Sequence, residues 1–396
     1  MQLSERVKWI KPSATLAVTE KAAALRRQGV EVIDLGAGEP DFDTPENIKE
    51  AARRALARGE TKYTPVGGTD ELKSAIIAKL KRDNGLEYAK NEVIASCGGK
   101  HALFVLFQAL FNDGDEVLVP APYWVSYPDM LLLAGARARI VFPRSGDDFK
   151  LRPEDLEAAL TARTKAVILN SPSNPAGVAY SPEELRALLE VLRDHTCWII
   201  SDDVYEKMVY GDFVLGQVLA VSPELRSRTI LCNSVSKTYA MTGWRVGYTA
   251  GPAEVIKAMT TLQGQMTSNP SSIAQAAAAE ALAGSQDSVP KMMAEFEKRR
   301  DFVVERLRSI PAVRCNKPQG AFYVFPNVSA YLGNPGGPQT GDELAAYLIE
   351  KAHVAVVGGT DFGYPDHIRI SYANSLENLD LGIRRIGSAL QELRAA

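Results

Sequence analysis

Short runs of apolar residues alternate with longer segments of helical pattern between residues 91 and 250. Six of the short runs have the length and composition of strands, at residues 92–96, 116–120, 166–170, 198–202, 229–233 and 246–250. Strands that alternate with helices in this way are typical of a mostly parallel sheet with helices on its faces. The pattern therefore predicts an α/β fold for this part of the chain.

Two helix starts are marked by capping residues. Ser181 stands at an N-cap position, with Pro182 at the first helical position and Glu184 at the third, a combination that satisfies the free amides of a first turn. Thr44 and Pro45 before Glu46 predict a second start of the same kind.

The pattern changes towards the end of the chain. Residues 275–284 are rich in alanine and predict a tightly packed helix, and residues 289–309 predict a longer charged helix that connects two domains. Residues 321–325 and 367–372 predict strands of a smaller α+β unit that closes with a helix over 375–393. Because 396 residues exceed one typical core, we expect two domains or one large α/β domain with an appendage. The boundaries that we predict are an N-terminal arm with part of the small domain (1–45), a large domain (46–288) and a C-terminal small domain (289–396).

Composition and charge narrow the possible partners. With 46% hydrophobic and 23% charged residues, the chain is that of an ordinary globular protein, and a net charge of -3 gives no general attraction to nucleic acid or membrane. The cysteines form no CxxC pair and the histidines no HExxH motif, so no metal site is expected. No signal peptide or apolar run of about 18 residues is present, and we expect a cytoplasmic location.

The stretch 233–245 carries the most specific chemistry. Lys237 follows Ser234 and Ser236 in a hydroxyl-rich turn, and Arg245 comes close behind. A lysine amine attacks a carbonyl when burial or a nearby cation lowers its pKa, and serine and arginine are good donors to phosphate oxygens. The stretch predicts a Schiff-base lysine beside a phosphate, which is what pyridoxal 5'-phosphate (PLP) requires. A solvated lysine is the alternative that this window leaves open.

Further candidates follow the predicted strands, because ligands of open α/β sheets bind beyond the carboxyl ends of strands. The glycines before Lys100 form either a phosphate-binding turn or a simple tight turn. Trp124 offers a face for stacking on a flat ring or belongs to the core. Asn174 is able to donate to a phenolic oxygen, or is only part of a turn.

Two charged residues at strands have equally open alternatives. Asp202 ends an apolar run and is a candidate to face the pyridinium nitrogen of PLP. The alternative is an N-cap role for Asp202 or Asp203. Arg369 alternates with Ile368 and Ile370, and it is either a solvated edge residue or a bidentate clamp for a carboxylate.

Together these pieces resemble the class I aminotransferases, which are PLP-dependent enzymes of fold type I. The likeness runs from Lys11 to the C-terminal helix. It is most specific in Ser-x-Ser-Lys followed by Gly-Trp-Arg-x-Gly, at 234–247, and in the order of Asn-Pro, Asp-x-x-Tyr, Lys and a C-terminal Arg along the chain. The resemblance implies a large domain with a mostly parallel seven-stranded sheet flanked by helices, and a smaller α+β domain.

The resemblance also implies the roles of individual residues. Lys237 would be the Schiff-base lysine and proton shuttle, and Asp202 would pair with the pyridine nitrogen. Tyr205 and Asn174 would contact the ring oxygen. The implied catalytic residues are Lys237, Asp202 and Tyr205. Trp124 would stack on the ring. The phosphate would be held by Gly99, Lys100, Ser234, Ser236, Arg245 and, from a second subunit, Tyr63. Such a site requires a homodimer.

The substrate residues are implied in the same way. Residues 11–15, 37–45 and 98–100 look like those of bacterial aspartate aminotransferases of the 1β subgroup. The implied contacts are Arg369 with the α-carboxylate, Gly38, Trp124 and Asn174 lining the same pocket, and Lys100, Ser13 and Thr15 with the distal carboxylate. We expect ping-pong transamination between aspartate, or another acidic amino acid, and 2-oxoglutarate.

Several alternatives stay open at this point. Some members of the subgroup transaminate prephenate through the same residues, so a dual aspartate/prephenate or an aromatic aminotransferase is possible. The family's Asn-Pro-Thr-Gly reads Asn-Pro-Ala-Gly at 174–177, and its Asp-Glu reads Asp-Asp at 202–203. A PLP-dependent lyase shares the fold. Another alternative is a sensing domain of a transcription regulator, which requires a DNA-binding extension. A nucleotide-binding oxidoreductase is disfavoured because the GxGxxG motif is missing.

Overall fold

The structure is a computed structural model that describes residues 3–12, 14–144 and 146–395. In these ranges the strands are β1 (Ile33–Asp34), β2 (Val93–Ser96), β3 (Glu116–Pro120), β4 (Arg137–Val141), β5 (Thr164–Asn170), β6 (Trp198–Asp202), β7 (Thr229–Ser234), β8 (Gly247–Ala250), β9 (Tyr323–Val324), β10 (Val354–Ala355), β11 (Val357–Gly358) and β12 (Ile368–Ser371). The α-helices are α1 (Arg6–Trp9), α2 (Ala14–Arg27), α3 (Glu46–Ala57), α4 (Asp70–Asn84), α5 (Gly99–Leu110), α6 (Ser126–Leu133), α7 (Pro153–Ala159), α8 (Pro182–Leu192), α9 (Val218–Val221), α10 (Ala253–Met266), α11 (Ser272–Ala283), α12 (Ser288–Arg308), α13 (Gly341–Tyr347) and α14 (Leu376–Ala395).

A seven-stranded sheet forms the centre of the larger part, in the order β2-β8-β7-β6-β5-β3-β4. Strand β8 runs antiparallel to both of its neighbours, and the other neighbouring pairs are parallel. The six predicted strands are all present, with ends within two residues of the prediction. Strand β4 was not predicted. It is a partly exposed edge strand that contains Arg137 and Arg139, so it lacks the apolar run of a buried strand.

The two predicted helix starts have different outcomes. At α8, Ser181 and Glu184 form a capping box, with the Glu184 amide donating to Ser181 Oγ at 3.3 Å and the Ser181 amide donating to the Glu184 carboxylate at 2.8 Å. At α3 the N-cap residue is Pro45 and no side chain caps the helix. The prediction of a Thr44 cap is wrong, because the Thr44 hydroxyl donates to the Ala240 carbonyl at 2.7 Å and accepts from Trp244.

The second part of the chain contains two small sheets. Strand β1 pairs with β10 in parallel, and β11, β12 and β9 form an antiparallel sheet. One hydrophobic cluster joins Ile33 and Leu35 to Phe296 of α12 and Leu379 of α14. The N-terminal segment thus packs with C-terminal elements. The domain boundaries stated above stay predictions.

One edge of the central sheet brings the ends of several strands together. Strands β3, β5, β6 and β7 run in parallel, so the loops that follow them all leave from this edge. Pairing of both Ser96 and Ser234 with Gly247 places the end of β2 and the start of β8 there as well. None of the helices in the described ranges has the length and apolar character that crossing a bilayer needs.

Candidate active site

A cavity of about 260 Å³ lies beyond this edge of the sheet. A water molecule occupies about 30 Å³ in the liquid, so the cavity has room for a small organic group. Most of the residues predicted from the sequence line it, namely Thr15, Gly38, Gly99, Lys100, Trp124, Asn174, Asp202, Tyr205, Ser234, Ser236, Lys237, Arg245 and Arg369.

Two predicted residues stand apart from this set. Tyr63 does not line the cavity, and 92% of its surface is exposed. Tyr63 therefore does not reach the cavity of its own chain. Its implied role in the site of a second subunit stays a prediction. Ser13 lies outside the described residues.

Lys237 extends from the loop after β7 and donates a hydrogen bond from Nζ to the carbonyl of Gly38. Burial lowers the pKa of its amine from 10.5 to about 8, with the Glu39 carboxylate opposing this shift and the cavity's other cations adding to it. A much larger fraction of the amine is neutral near pH 8 than in an exposed lysine. This is the state that attacks carbonyl compounds.

Asp202 ends β6 and is 4% exposed. Burial raises the pKa of its carboxyl to about 6, and a hydrogen bond from the Tyr127 hydroxyl to Oδ2, at 2.5 Å, opposes the rise. Its backbone carbonyl accepts from Asn170 at 2.9 Å. Since no helix starts at Val204, whose amide is 3.4 Å from Oδ1, helix capping does not explain this acid.

Arg369 is 1% exposed, which excludes the solvated alternative. Nη1 donates to Asn174 Oδ1 at 3.0 Å and Nη2 donates to the Gly36 carbonyl at 2.7 Å. Nε is buried and has no partner among the described residues. A guanidinium with an unsatisfied donor at a cavity is suited to binding an anion.

The glycine turn after β2 faces the loop after β7. Gly98 has a φ of +91°, and a side chain there would collide with the Arg245 guanidinium. The turn leads into α5 at Gly99, which lies close to Ser234. Helix amides, a serine hydroxyl and a guanidinium thus meet at one point, the combination that binds phosphate.

The charge of the cavity is strongly one-sided. Among the described residues, the cavity is lined by one carboxylate, that of Asp202, and by four basic side chains. The basic side chains are Lys100, Lys237, Arg245 and Arg369. The whole chain, in contrast, carries a net charge of -3. A local excess of positive charge favours ligands with several negative groups.

Tyr127, Asn170 and Tyr323 are among the lining residues that were not predicted from the sequence. The Tyr323 hydroxyl lies 3.0 Å from that of Tyr205, and Asn170 Oδ1 accepts from the Asn174 amide at 3.0 Å. Asn170 had a usable signal, because it ends a predicted strand. The two tyrosines stand in apolar segments that indicate only core.

Residues 30–386 match the model of the family described as aminotransferase class I and II. The chain belongs to this family, as its resemblance implied, and the predicted fold class is confirmed.

Relatives with similar sequences cover nearly the whole chain. It is 51% identical to the aspartate aminotransferase of Geobacillus stearothermophilus, over 98% of each chain. It is 52% identical to the aspartate/prephenate aminotransferase of Cereibacter sphaeroides, over 97% of each. The solved aspartate aminotransferase of Rhizobium meliloti has a TM-score of 0.94 at 47% identity and 99% coverage of both chains. That of Thermus thermophilus with maleate has a TM-score of 0.92 at 44% identity, covering 98% of this chain and 100% of the other.

Proposed function

We propose that this chain is a PLP-dependent aspartate aminotransferase that transfers the amino group of aspartate to 2-oxoglutarate by a ping-pong mechanism. The observation that carries the proposal is the sharing of one cavity by three groups. These are an amine with a pKa lowered to about 8, at Lys237, a buried carboxyl, at Asp202, and a buried guanidinium, at Arg369. Full-length relatives named as aspartate aminotransferases support the substrate.

The residues present fit PLP. The amides that begin α5, the hydroxyls of Ser234 and Ser236, and Arg245 would hold its phosphate, close to the Schiff-base lysine. Asp202 would face the ring nitrogen, Asn174 and Tyr205 the ring oxygen, and Trp124 one ring face. Asn174 Oδ1 already accepts a hydrogen bond from Arg369. The Nδ2 group of Asn174 is therefore the one that would donate to the ring oxygen.

PLP, when bound, supplies an electron sink that makes the Cα–H bond of an amino acid acidic. The Asp202 carboxylate would stabilise positive charge at the ring nitrogen. The neutral Lys237 amine would take the Cα proton as a general base, and its protonated form would return a proton as a general acid. A pKa near 8 suits both tasks, because each form is accessible near neutral pH.

Two cationic groups support an acidic substrate. Arg369 would bind the α-carboxylate that all amino acids share. Lys100, whose Nζ lies 5.1 Å from the centre of the Trp124 ring, would bind the distal carboxylate together with Thr15 and Ser13. Burial lowers the pKa of the Lys100 amine, and a carboxylate partner would restore its charged form.

A homodimer with shared sites is part of this proposal. Tyr63 is exposed and lies off its own chain's cavity, as expected of a residue that completes a neighbour's phosphate site. The cytoplasmic location likewise stays a prediction. Dual use of prephenate is a second candidate, because the relative from Cereibacter sphaeroides is named for both substrates.

Absorbance spectra test the proposed function directly. Protein purified with PLP is mixed with aspartate, glutamate or phenylalanine, and the cofactor band and the oxo acid product are measured before 2-oxoglutarate or prephenate is added. We expect aspartate to shift the band with formation of oxaloacetate, and 2-oxoglutarate to reverse the shift. A response to phenylalanine but not to aspartate contradicts the proposed substrate. Release of ammonia or loss of a side-chain group instead of reversal supports a lyase.

A further inference from the structure

Tyr127 contacts two residues of the proposed site at once. Its hydroxyl donates to Asp202 Oδ2 at 2.5 Å, and its ring packs edge-on against that of Trp124, with centroids 5.4 Å apart and planes at 89°. Tyr127 is 2% exposed and lies on α6. One side chain thus spans from the buried acid to the aromatic wall of the cavity.

We propose that Tyr127 is a positioning residue for amino transfer, whose hydroxyl keeps the Asp202 carboxylate ionised and oriented while its ring fixes the plane of Trp124. The inference rests on the function proposed above. It adds a residue that acts through Asp202 and Trp124.

The surroundings of Asp202 explain why this hydrogen bond matters. The ionisable groups that face it are Tyr127 from α6, Cys232 from β7, and Asp203 and Tyr205 from the turn after β6. Among the described residues, none of these is a cation. In the described part of the chain, one other group donates to the carboxylate: the Val204 amide, 3.4 Å from Oδ1, which is a much weaker contact.

The direction of the effect follows from the burial of the carboxyl. Burial favours the neutral acid, and a hydrogen bond donated to the charged form opposes it. Removing the Tyr127 hydroxyl therefore raises the pKa of Asp202 above its value of about 6. A larger fraction of the acid is then protonated near neutral pH, and that fraction does not stabilise a positive charge at a ring nitrogen.

The test compares Tyr127→Phe with Tyr180→Phe as a matched control. Tyr180 is also buried, and its hydroxyl accepts from the Leu151 amide at 2.9 Å, so the control loses one buried hydroxyl without touching Asp202. The dissociation constant of pyridoxamine 5'-phosphate, the aminated form of PLP that makes no Schiff base with Lys237, is measured from apoprotein between pH 5 and pH 9 for each protein. Transamination of aspartate is followed over the same range.

We expect Tyr127→Phe to move the acid midpoint of cofactor binding upward by about one pH unit, with binding about fivefold weaker near pH 6, and to move the acid limb of kcat/KM likewise. Tyr180→Phe leaves both midpoints in place. An unchanged midpoint in Tyr127→Phe overturns the inference. Wild-type protein that neither binds PLP nor transaminates aspartate instead overturns the proposed function.

The Asp202→Asn background separates positioning from general packing. Asparagine keeps an oxygen that accepts from the Tyr127 hydroxyl but has no carboxyl to titrate, so loss of the hydroxyl changes no charge in that background. Tyr127→Phe is therefore expected to change cofactor affinity less than twofold there. If Tyr127→Phe alone fails to fold but the double variant folds, this result also supports the inference. An equal loss of affinity in both backgrounds, or failure of both Tyr127→Phe proteins to fold, overturns it.

Discussion

Arg369 and Asn174 are joined by a buried hydrogen bond of 3.0 Å from Nη1 to Oδ1, although 195 residues separate them in the chain. Asn174 belongs to the loop after β5 of the central sheet, and Arg369 belongs to β12 of a small sheet. This end of the cavity is therefore assembled from both parts of the molecule. Arg369 is held in place before any substrate arrives.

This arrangement predicts different effects for substitution of the two cations that are proposed to bind substrate, Arg369 and Lys100. Loss of one partner of a desolvated ion pair costs about 2–5 kcal/mol, or roughly 30-fold or more in kcat/KM. Arg369→Ala is expected to lower kcat/KM to this degree for every amino acid. Lys100→Ala is expected to do so for aspartate, with less than about a fivefold effect on phenylalanine.

Steady-state kinetics with both donors check this contrast. Lys73→Ala is the matched control, because the pKa of that lysine is also lowered by burial and it does not line the cavity. If Lys100→Ala affects aspartate and phenylalanine equally, Lys100 has only a structural role, and the proposal of an acidic substrate loses its main support.

Subunit mixing tests whether Tyr63 completes a neighbour's site. Lys237→Ala and Tyr63→Ala proteins, each expected to be nearly inactive at limiting PLP, are unfolded together and refolded. A hybrid dimer in which the wild-type Tyr63 and Lys237 meet at one site regains up to half of the wild-type activity per dimer. Absence of regain, despite hybrid dimers seen by native mass spectrometry, shows that Tyr63 does not act across the interface.

A buried ion pair beneath the site is predicted to matter for stability. Lys79 of α4 pairs with Glu206, and Asn84 and Asn233 complete a network in which all four side chains are buried. Lys79→Met leaves a buried carboxylate without its cation, so we expect a loss of about 3–5 kcal/mol in the free energy of unfolding.

Urea denaturation at pH 7 measures this loss. Lys81→Met, on the same helix, removes one partner of the exposed pair with Glu87 and is expected to cost less than about 1 kcal/mol. Adding Glu206→Gln to Lys79→Met recovers part of the loss, because the remaining group is then neutral. Equal costs for the two lysines contradict a special role for the buried pair.

Six strands of the large sheet were predictable because they are mostly buried and therefore largely apolar along their length. Residues 116–120 and 198–202 were predicted with the bounds that the structure has. Edge strand β4 carries arginines, and β1 has only two residues. Neither strand has a periodic pattern of apolar residues in the sequence. Both form because they pair with other strands in the folded protein.

The site was predictable where a residue type is unusual for its setting. Lys237 in a hydroxyl-rich turn and Asp202 at the end of an apolar strand stand out, and the resemblance to a family supplied their roles. Tyr127 does not stand out, because a tyrosine in an apolar helix indicates core. Its contact with Asp202, 75 residues away in the chain, appears only in the folded structure.

The pH dependence of PLP capture by the apoprotein follows from the pKa of Lys237, which burial lowers to about 8. A lysine is protonated and unreactive below its pKa, so the capture rate is expected to rise about tenfold per pH unit below pH 7 and to level off above pH 8. Stopped-flow absorbance measures this rate. A rate that keeps rising to pH 10 indicates a lysine with an ordinary pKa.

The central claim is that Lys237 is the amine that holds PLP, and borohydride reduction followed by peptide mapping tests it most directly. Reduction fixes the Schiff base as a stable pyridoxyl-lysine, which mass spectrometry locates in the sequence. We predict one stoichiometric adduct per chain, on Lys237, that is lost when aspartate is added before reduction and is absent from Lys237→Ala. A stoichiometric adduct on another lysine, or none on the wild-type protein purified with PLP, contradicts the account.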